Sequence, residues 1–121
     1  MRLRQVAQKV ENLGRAVEWY QSVLGVAPTA VFDPPGLAFF DLEGVRLLLD
    51  VNAPTALIYL DVGDVEATFN DLLKRGFVGH TEPHVVFSDN EGTFDRPGEE
   101  WLAFVGDSEG NTVGLMGRRP L

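Results

Sequence analysis

Apolar residues recur along this chain with two periods, and the two periods alternate in the same order twice. Leu13, Ala16, Val17, Tyr20, Val23 and Leu24 fall at offsets 0, +3, +4, +7, +10 and +11, which is one face of an amphipathic helix. Asn12 precedes them as an N-cap whose side chain can accept from the first free backbone N–H groups. Gly25 ends the pattern and Pro28 follows, as expected past a helix C-terminus. Val65, Phe69, Leu72 and Leu73 at 0, +4, +7 and +8 predict a second helix, capped by Asp64 and stopped by Gly76. Elsewhere the period is two. Residues 3–10 read as a strand with Val6 and Val10 on one face and Gln5, Ala7 and Lys9 on the other. A short strand over 29–33 precedes the turn Pro34-Pro35-Gly36. Leu37–Leu42 and Val45–Asp50 form a hairpin about Glu43-Gly44. Residues 57–62 and 84–87 are further strands. Residues 101–105 and 111–116 form a hairpin about Asp107-Ser108-Glu109-Gly110. Residues 88–98 are polar and turn-rich, and they predict a long mobile loop.

The order is βαβββ, repeated. Leu37-Ala38-Phe39-Phe40-Asp41-Leu42-Glu43-Gly44 returns as Leu102-Ala103-Phe104-Val105-Gly106-Asp107-Ser108-Glu109-Gly110, with one residue inserted. Repeats shape the fold expectation before anything else. Two copies predict one α+β domain over residues 1–121, with module 1 at about 1–52, module 2 at about 56–118 and Asn52-Ala53-Pro54-Thr55 as the linker. The expected arrangement is a closed pair of modules. The modules differ in one place. Asn12 to Gly44 spans 32 positions and Asp64 to Gly110 spans 46, so module 2 carries 14 more. Both histidines, His80 and His84, lie in that extension, and function-bearing variation gathers in such segments.

Composition narrows the function. The chain has no cysteine, which excludes disulfides, thiolate nucleophiles and sulfur-ligated metals. The formal net charge is −8, from 10 Lys and Arg against 18 Asp and Glu. Nucleic-acid binding needs clustered cations, so that partner is not expected. An acidic field favours a cationic ligand, although a modest negative charge also serves solubility alone. The N-terminus lacks the apolar run of a secretory signal, and no stretch approaches the ~20 apolar residues of a membrane span. A cytoplasmic protein without membrane association is the expectation.

The segment Val10-Glu11-Asn12-Leu13-Gly14-Arg15-Ala16-Val17-Glu18-Trp19-Tyr20, followed by Val23-Leu24-Gly25, resembles the opening of a known family. Asp107-Ser108-Glu109-Gly110-Asn111-Thr112-Val113-Gly114-Leu115 resembles its closing. With the duplicated βαβββ order, nearly the whole chain is similar to the vicinal oxygen chelate superfamily. That group includes glyoxalase I, the bleomycin resistance proteins, extradiol dioxygenases and methylmalonyl-CoA epimerase. The resemblance implies a glyoxalase/bleomycin resistance-like fold, a cup-shaped mixed β-sheet with the helices outside, usually completed by a homodimer. Enzymes of the family hold a divalent metal with one opening and one closing residue per module. The opening ligand stands seven residues before the helix cap, and the closing ligand four residues after the turn glycine. Those positions here are Gln5 and Leu57, then Leu48 and Gly114. Three of the four have no side-chain donor, so no metal and no other cofactor is expected.

Two function classes follow. The first is a metal-free binding protein of the bleomycin resistance type, holding an aromatic or cationic small molecule in an apolar cup. The second is a lyase, isomerase or dioxygenase-type enzyme with a non-standard site around Gln5 and His84, with Glu99 or Glu100 as a loop carboxylate. The expected ligand-binding residues are Gln5, Leu48, Leu57, Tyr59, Trp101, Gly114 and Met116. Alternation sends Ile58, Leu60, Val62, Val113 and Leu115 toward the helix, and Leu57, Tyr59, Gly114 and Met116 away from it. Gly114 is expected to leave room for the ligand, so that a bulky residue there fills the cup. Trp101 is assigned to the rim or, equally, to the core. Phe39, Phe40 and Phe104 are assigned to the core. His84 is the candidate proton-transfer group, with bonding to its own neighbours as the alternative, and His80 is read as a surface-loop residue. In an extended segment these two lie roughly 13 Å apart, too far to share one ion. Asp89, Asp95, Glu99 and Glu100 surround the long loop. They form either a patch for a basic ligand or a solvated charge run.

Overall fold

The computed structural model describes residues 1–121. Ten elements follow one another: β1 (Arg2–Lys9), α1 (Leu13–Leu24), β2 (Ala30–Phe32), β3 (Leu37–Leu42), β4 (Val45–Asp50), β5 (Leu57–Asp61), α2 (Val65–Lys74), β6 (Val78–Asp89), β7 (Gly98–Gly106) and β8 (Thr112–Arg119). This is βαβββ twice, an α+β protein of the expected class. The chain forms two compact units, Gln5–Ile58 and Tyr59–Leu121 with Met1–Arg4.

In the first unit the strand order is β2-β3-β4-β1. β3 runs antiparallel to both β2 and β4, and β1 lies parallel to β4 with Gln5 opposite Arg46 and Ala7 opposite Leu48. The Asn12 side chain accepts from the Arg15 N–H at 3.0 Å and starts α1. Gly25 ends it at φ 76°, with its N–H donating to the Gln21 carbonyl. A left-handed residue is needed there, and glycine adopts that conformation without a Cβ clash. The sheet presents Ala38, Phe40 and Leu49 to α1, where Leu13, Val17, Tyr20 and Leu24 cover them. Phe40 and Leu49 are fully buried and each contributes about 1.5–3 kcal/mol, whereas the half-buried helix side chains contribute less. Val23 is 62% exposed despite its place in the helical pattern. At +10 it falls about 80° off the stripe's centre line, beyond the reach of the sheet.

In the second unit the order is β5-β8-β7-β6. β5 is parallel to β8, and β7 is antiparallel to β8 and β6. Asp64 caps α2 by accepting from the Ala67 N–H at 3.0 Å. Val65 and Phe69 pack on Ala103, Val105 and Leu115. Gly117 lets β8 meet the chain ahead of α2, since a Cβ there would collide with the Gly63 carbonyl oxygen.

Two expectations for this unit need correction. β6 covers twelve residues and not only 84–87. Gly79 and Pro83 argue against a strand locally. β6 is an edge strand, however, where a missing N–H is tolerated. It passes these residues through register shifts between Gly79 and Thr81, Thr81 and His84, and Val85 and Phe87. His80 is therefore a strand residue. The long loop also shrinks to residues 90–97 and is tied down, because the Asp89 carboxylate accepts from the Thr93 and Phe94 N–H groups at 2.7 and 3.1 Å.

Candidate functional site

Each sheet has a face turned away from its helix, and the expected site residues divide between those faces with one exception. Directly paired residues project from the same side of a sheet. In the first unit the register therefore puts Gln5, Ala7, Arg46, Leu48 and Phe39 on the helix-free face. All five are buried. The Arg46 guanidinium lies over the Phe39 ring, 5.5 Å from its centroid, and Phe32 meets Phe39 edge-on. Gln5 is only 3% exposed, and its Oε1 has no hydrogen-bond partner. Leu57 stands at the start of β5, also buried.

The second unit's helix-free face carries Tyr59, Gly114 and Phe104 in one row and Met116 and Leu102 in the next. Tyr59 and Met116 are buried. The Tyr59 and Phe104 rings meet edge to face at 5.8 Å. Phe104 therefore lies opposite the helix-side core. The space expected above Gly114 is taken by Tyr59, because a Cβ on Gly114 would lie 2.5 Å from the ring carbon Cδ2. The glycine makes room for this protein's own aromatic ring, which two-fold alternation does not reveal. Trp101 is the exception among the site residues. It packs with Val65, Phe69 and Ala103 on the helix side, under the Arg119 guanidinium at 4.0 Å. Its indole N–H is buried without a partner.

His84 lies opposite Leu102 and so joins the helix-free face. Its Nδ1 stands 2.8 Å from the Glu82 carbonyl oxygen. His80 is exposed beside Gly106 and Thr112.

The polar end of this face was missed as a unit from the sequence. Asp89 and Glu100 are buried, at 0% and 5% exposure, and Arg118 bridges them. Its guanidinium donates to Glu100 at 2.7 Å and to Asp89 at 3.2 Å, and it also holds the Arg96 carbonyl. Burial alone raises the Asp89 carboxyl pKa. The Phe94 and Thr93 N–H groups and Arg118 outweigh that effect and hold it below the ordinary value. The carboxylates expected as a patch for a basic ligand are thus already paired, in the case of Asp89 and Glu100, within the protein. A cleft of about 460 Å³ opens beside them, between Asp95–Pro97 of the loop and Arg118–Pro120. No His, Asp and Glu side chains gather in threes as a metal cluster. At the four positions where the resemblance puts metal donors, Leu48, Leu57 and Gly114 have none and Gln5 has one neutral amide oxygen. This donor set does not fit a divalent ion, which needs several oxygen or imidazole ligands.

A family model described as Glyoxalase/Bleomycin resistance protein/Dioxygenase superfamily matches residues 2–115. No curated protein matches the chain. Among solved structures, a glyoxalase/bleomycin resistance protein/dioxygenase superfamily member from Vibrio splendidus 12B01 is 12% identical, with 98% of this chain and 100% of that one covered and a TM-score of 0.67. A variant of Streptomyces coelicolor methylmalonyl-CoA epimerase in complex with 2-nitronate-propionyl-CoA is 17% identical, covering 97% and 94% at a TM-score of 0.66. A structure named as an NAD-dependent benzaldehyde dehydrogenase from Legionella pneumophila is 16% identical, covering 95% and 98% at 0.65. At these identities the likeness speaks for the fold alone. No helix is long and apolar enough to cross a membrane.

Proposed function

The chain belongs to the Glyoxalase/Bleomycin resistance protein/Dioxygenase superfamily, and from that membership we propose that it is a small-molecule-binding member that works without a divalent metal. The observation that carries this reading is Gln5, whose buried Oε1 has no hydrogen-bond partner. A buried acceptor left unpaired costs about 1–3 kcal/mol. Such a cost persists at functional positions where a ligand satisfies the group. A ligand N–H or O–H supplies what Gln5 lacks, and the neighbouring Leu48 and Phe39 suit an apolar body. In the second unit Tyr59, Phe104 and Met116 offer the aromatic and thioether surface that flat organic compounds favour. The net charge of −8 adds attraction for a cation. The ligand class is therefore an aromatic or cationic small molecule. Homodimerisation and a cytoplasmic location complete the proposal. Sedimentation equilibrium giving only monomer at high micromolar concentration refutes the dimer.

A thermal-shift screen tests the binding reading, because a ligand at a hundred times its Kd stabilises by about 2.7 kcal/mol. Aromatic and cationic compounds are expected to raise the melting temperature, and zinc, nickel, iron and manganese are expected to leave it unchanged. Gln5→Leu removes the unpaired oxygen at similar volume. It should abolish the ligand-induced shift while leaving the ligand-free protein as stable as before, or more so. A ligand-free Gln5→Leu protein weakened by more than about 1 kcal/mol would mean that Gln5 serves the fold and not a ligand.

A further inference from the structure

His84 Nδ1 lies within hydrogen-bond distance of a backbone carbonyl oxygen, that of Glu82. A carbonyl oxygen can only accept, so the proton between the two atoms belongs to Nδ1. In the neutral ring the other nitrogen, Nε2, then carries the lone pair. The imidazole is exposed, and the Glu82 bond is its only one. The strand register gives that lone pair a setting. His84 lies opposite Leu102, and Leu102 lies opposite Met116, so the ring shares the helix-free face of module 2. The Tyr59 and Phe104 rings stand in the adjoining row of that face.

We infer that Nε2 of His84 is a hydrogen-bond acceptor for a ligand on this face, and that it selects aromatic compounds carrying a hydroxyl group. The apolar rows suit the ring, and the oriented imidazole suits the O–H. No covalent bond is made or broken, and His84 acts here as a specificity-determining residue. The inference rests on the small-molecule reading above and narrows its ligand class.

The probes are phenol and its methyl ether, anisole, which differ by the one donor. Long-range proton–nitrogen correlation NMR in mildly alkaline buffer reads which nitrogen bears the proton. The His84 signals are identified by their loss in His84→Ala. The expected result is a protonated Nδ1, an Nε2 resonance that moves with phenol and not with anisole, and phenol binding roughly 3- to 10-fold weaker in His84→Ala with anisole binding unchanged. A proton on Nε2 in the ligand-free protein overturns the inference. So does phenol binding that is equal in the two proteins, an outcome that leaves the small-molecule reading standing. If neither probe perturbs this face, the hydroxyl-aromatic class is wrong, and the thermal-shift screen judges the broader reading separately.

Discussion

Replacing Arg118 by methionine keeps most of its length and apolar stem and removes the guanidinium. Two carboxylates then lose a cation, one of them with no exposed surface and the other 5% exposed. Charge-assisted hydrogen bonds contribute about 1.5–3 kcal/mol each, and Arg118 makes one to Glu100 and one to Asp89. Asp89 keeps its two backbone N–H donors, which moderates the loss. The Arg118 side chain is itself 21% exposed, which lowers it further. The expected destabilisation is about 3 kcal/mol, the lower end for breaking a buried ion pair. With a urea slope of about 2 kcal/mol per molar, the unfolding midpoint moves down by about 1.5 M. Acidity provides an independent check. The Asp89 carboxyl titrates below its ordinary value when folded, so its stabilisation is complete above the unfolded value of about 3.9 and is lost as the pH falls through the lower folded value. In Arg118→Met one lowering influence is gone and burial remains, so this carboxyl titrates higher and acid unfolding begins at a higher pH. The gap between variant and parent should therefore narrow as the solution becomes acidic, through the range between the variant's raised value and the parent's lowered one. A midpoint shift under about 0.5 M, or a gap that does not change with pH, would refute the pairing argument.

Adding a methyl group at Gly114 drives it into the Tyr59 ring. Gly114→Ala should cost about 1–3 kcal/mol as overpacking, seen as a lowered urea midpoint with an altered near-ultraviolet tyrosine signal. Gly117→Ala meets the Gly63 backbone carbonyl. Backbone gives less readily than a ring edge, so this variant should lose more stability than Gly114→Ala, and the opposite ranking in urea unfolding would contradict the close approach. Asn12→Ala and Asp64→Ala each remove a helix cap and should each cost about 1 kcal/mol. Their effects should add in the double variant, because the caps serve different modules.

Much of the fold was legible because its signals are local. A helix cap acts within three residues, as Asn12 and Asp64 do. The limits of α1 and of the β3–β4 hairpin follow from period, cap and turn glycine without help from distant chain. Alternation also carried the faces of β5 and β8, since Leu60 pairs with Leu115 and Tyr59 with Gly114. Other features depend on what lies alongside. β6 is long because β7 supplies its partners, whereas its own Gly79 and Pro83 point the other way. Trp101 faces the helix because Ala103 and Val105, two and four residues on, are held there. The space over Gly114 belongs to Tyr59, 55 positions earlier in the chain. Arg118 joins Glu100 and Asp89 across separations of 18 and 29 residues. Sequence by itself determined the elements, their order and the inward or outward sense of most strands, since propensity, capping and alternation are short-range steric and hydrogen-bonding effects. Only the tertiary structure decided which side chains meet on the helix-free faces, because that depends on strand register, where a shift of one residue sends every side chain to the opposite side.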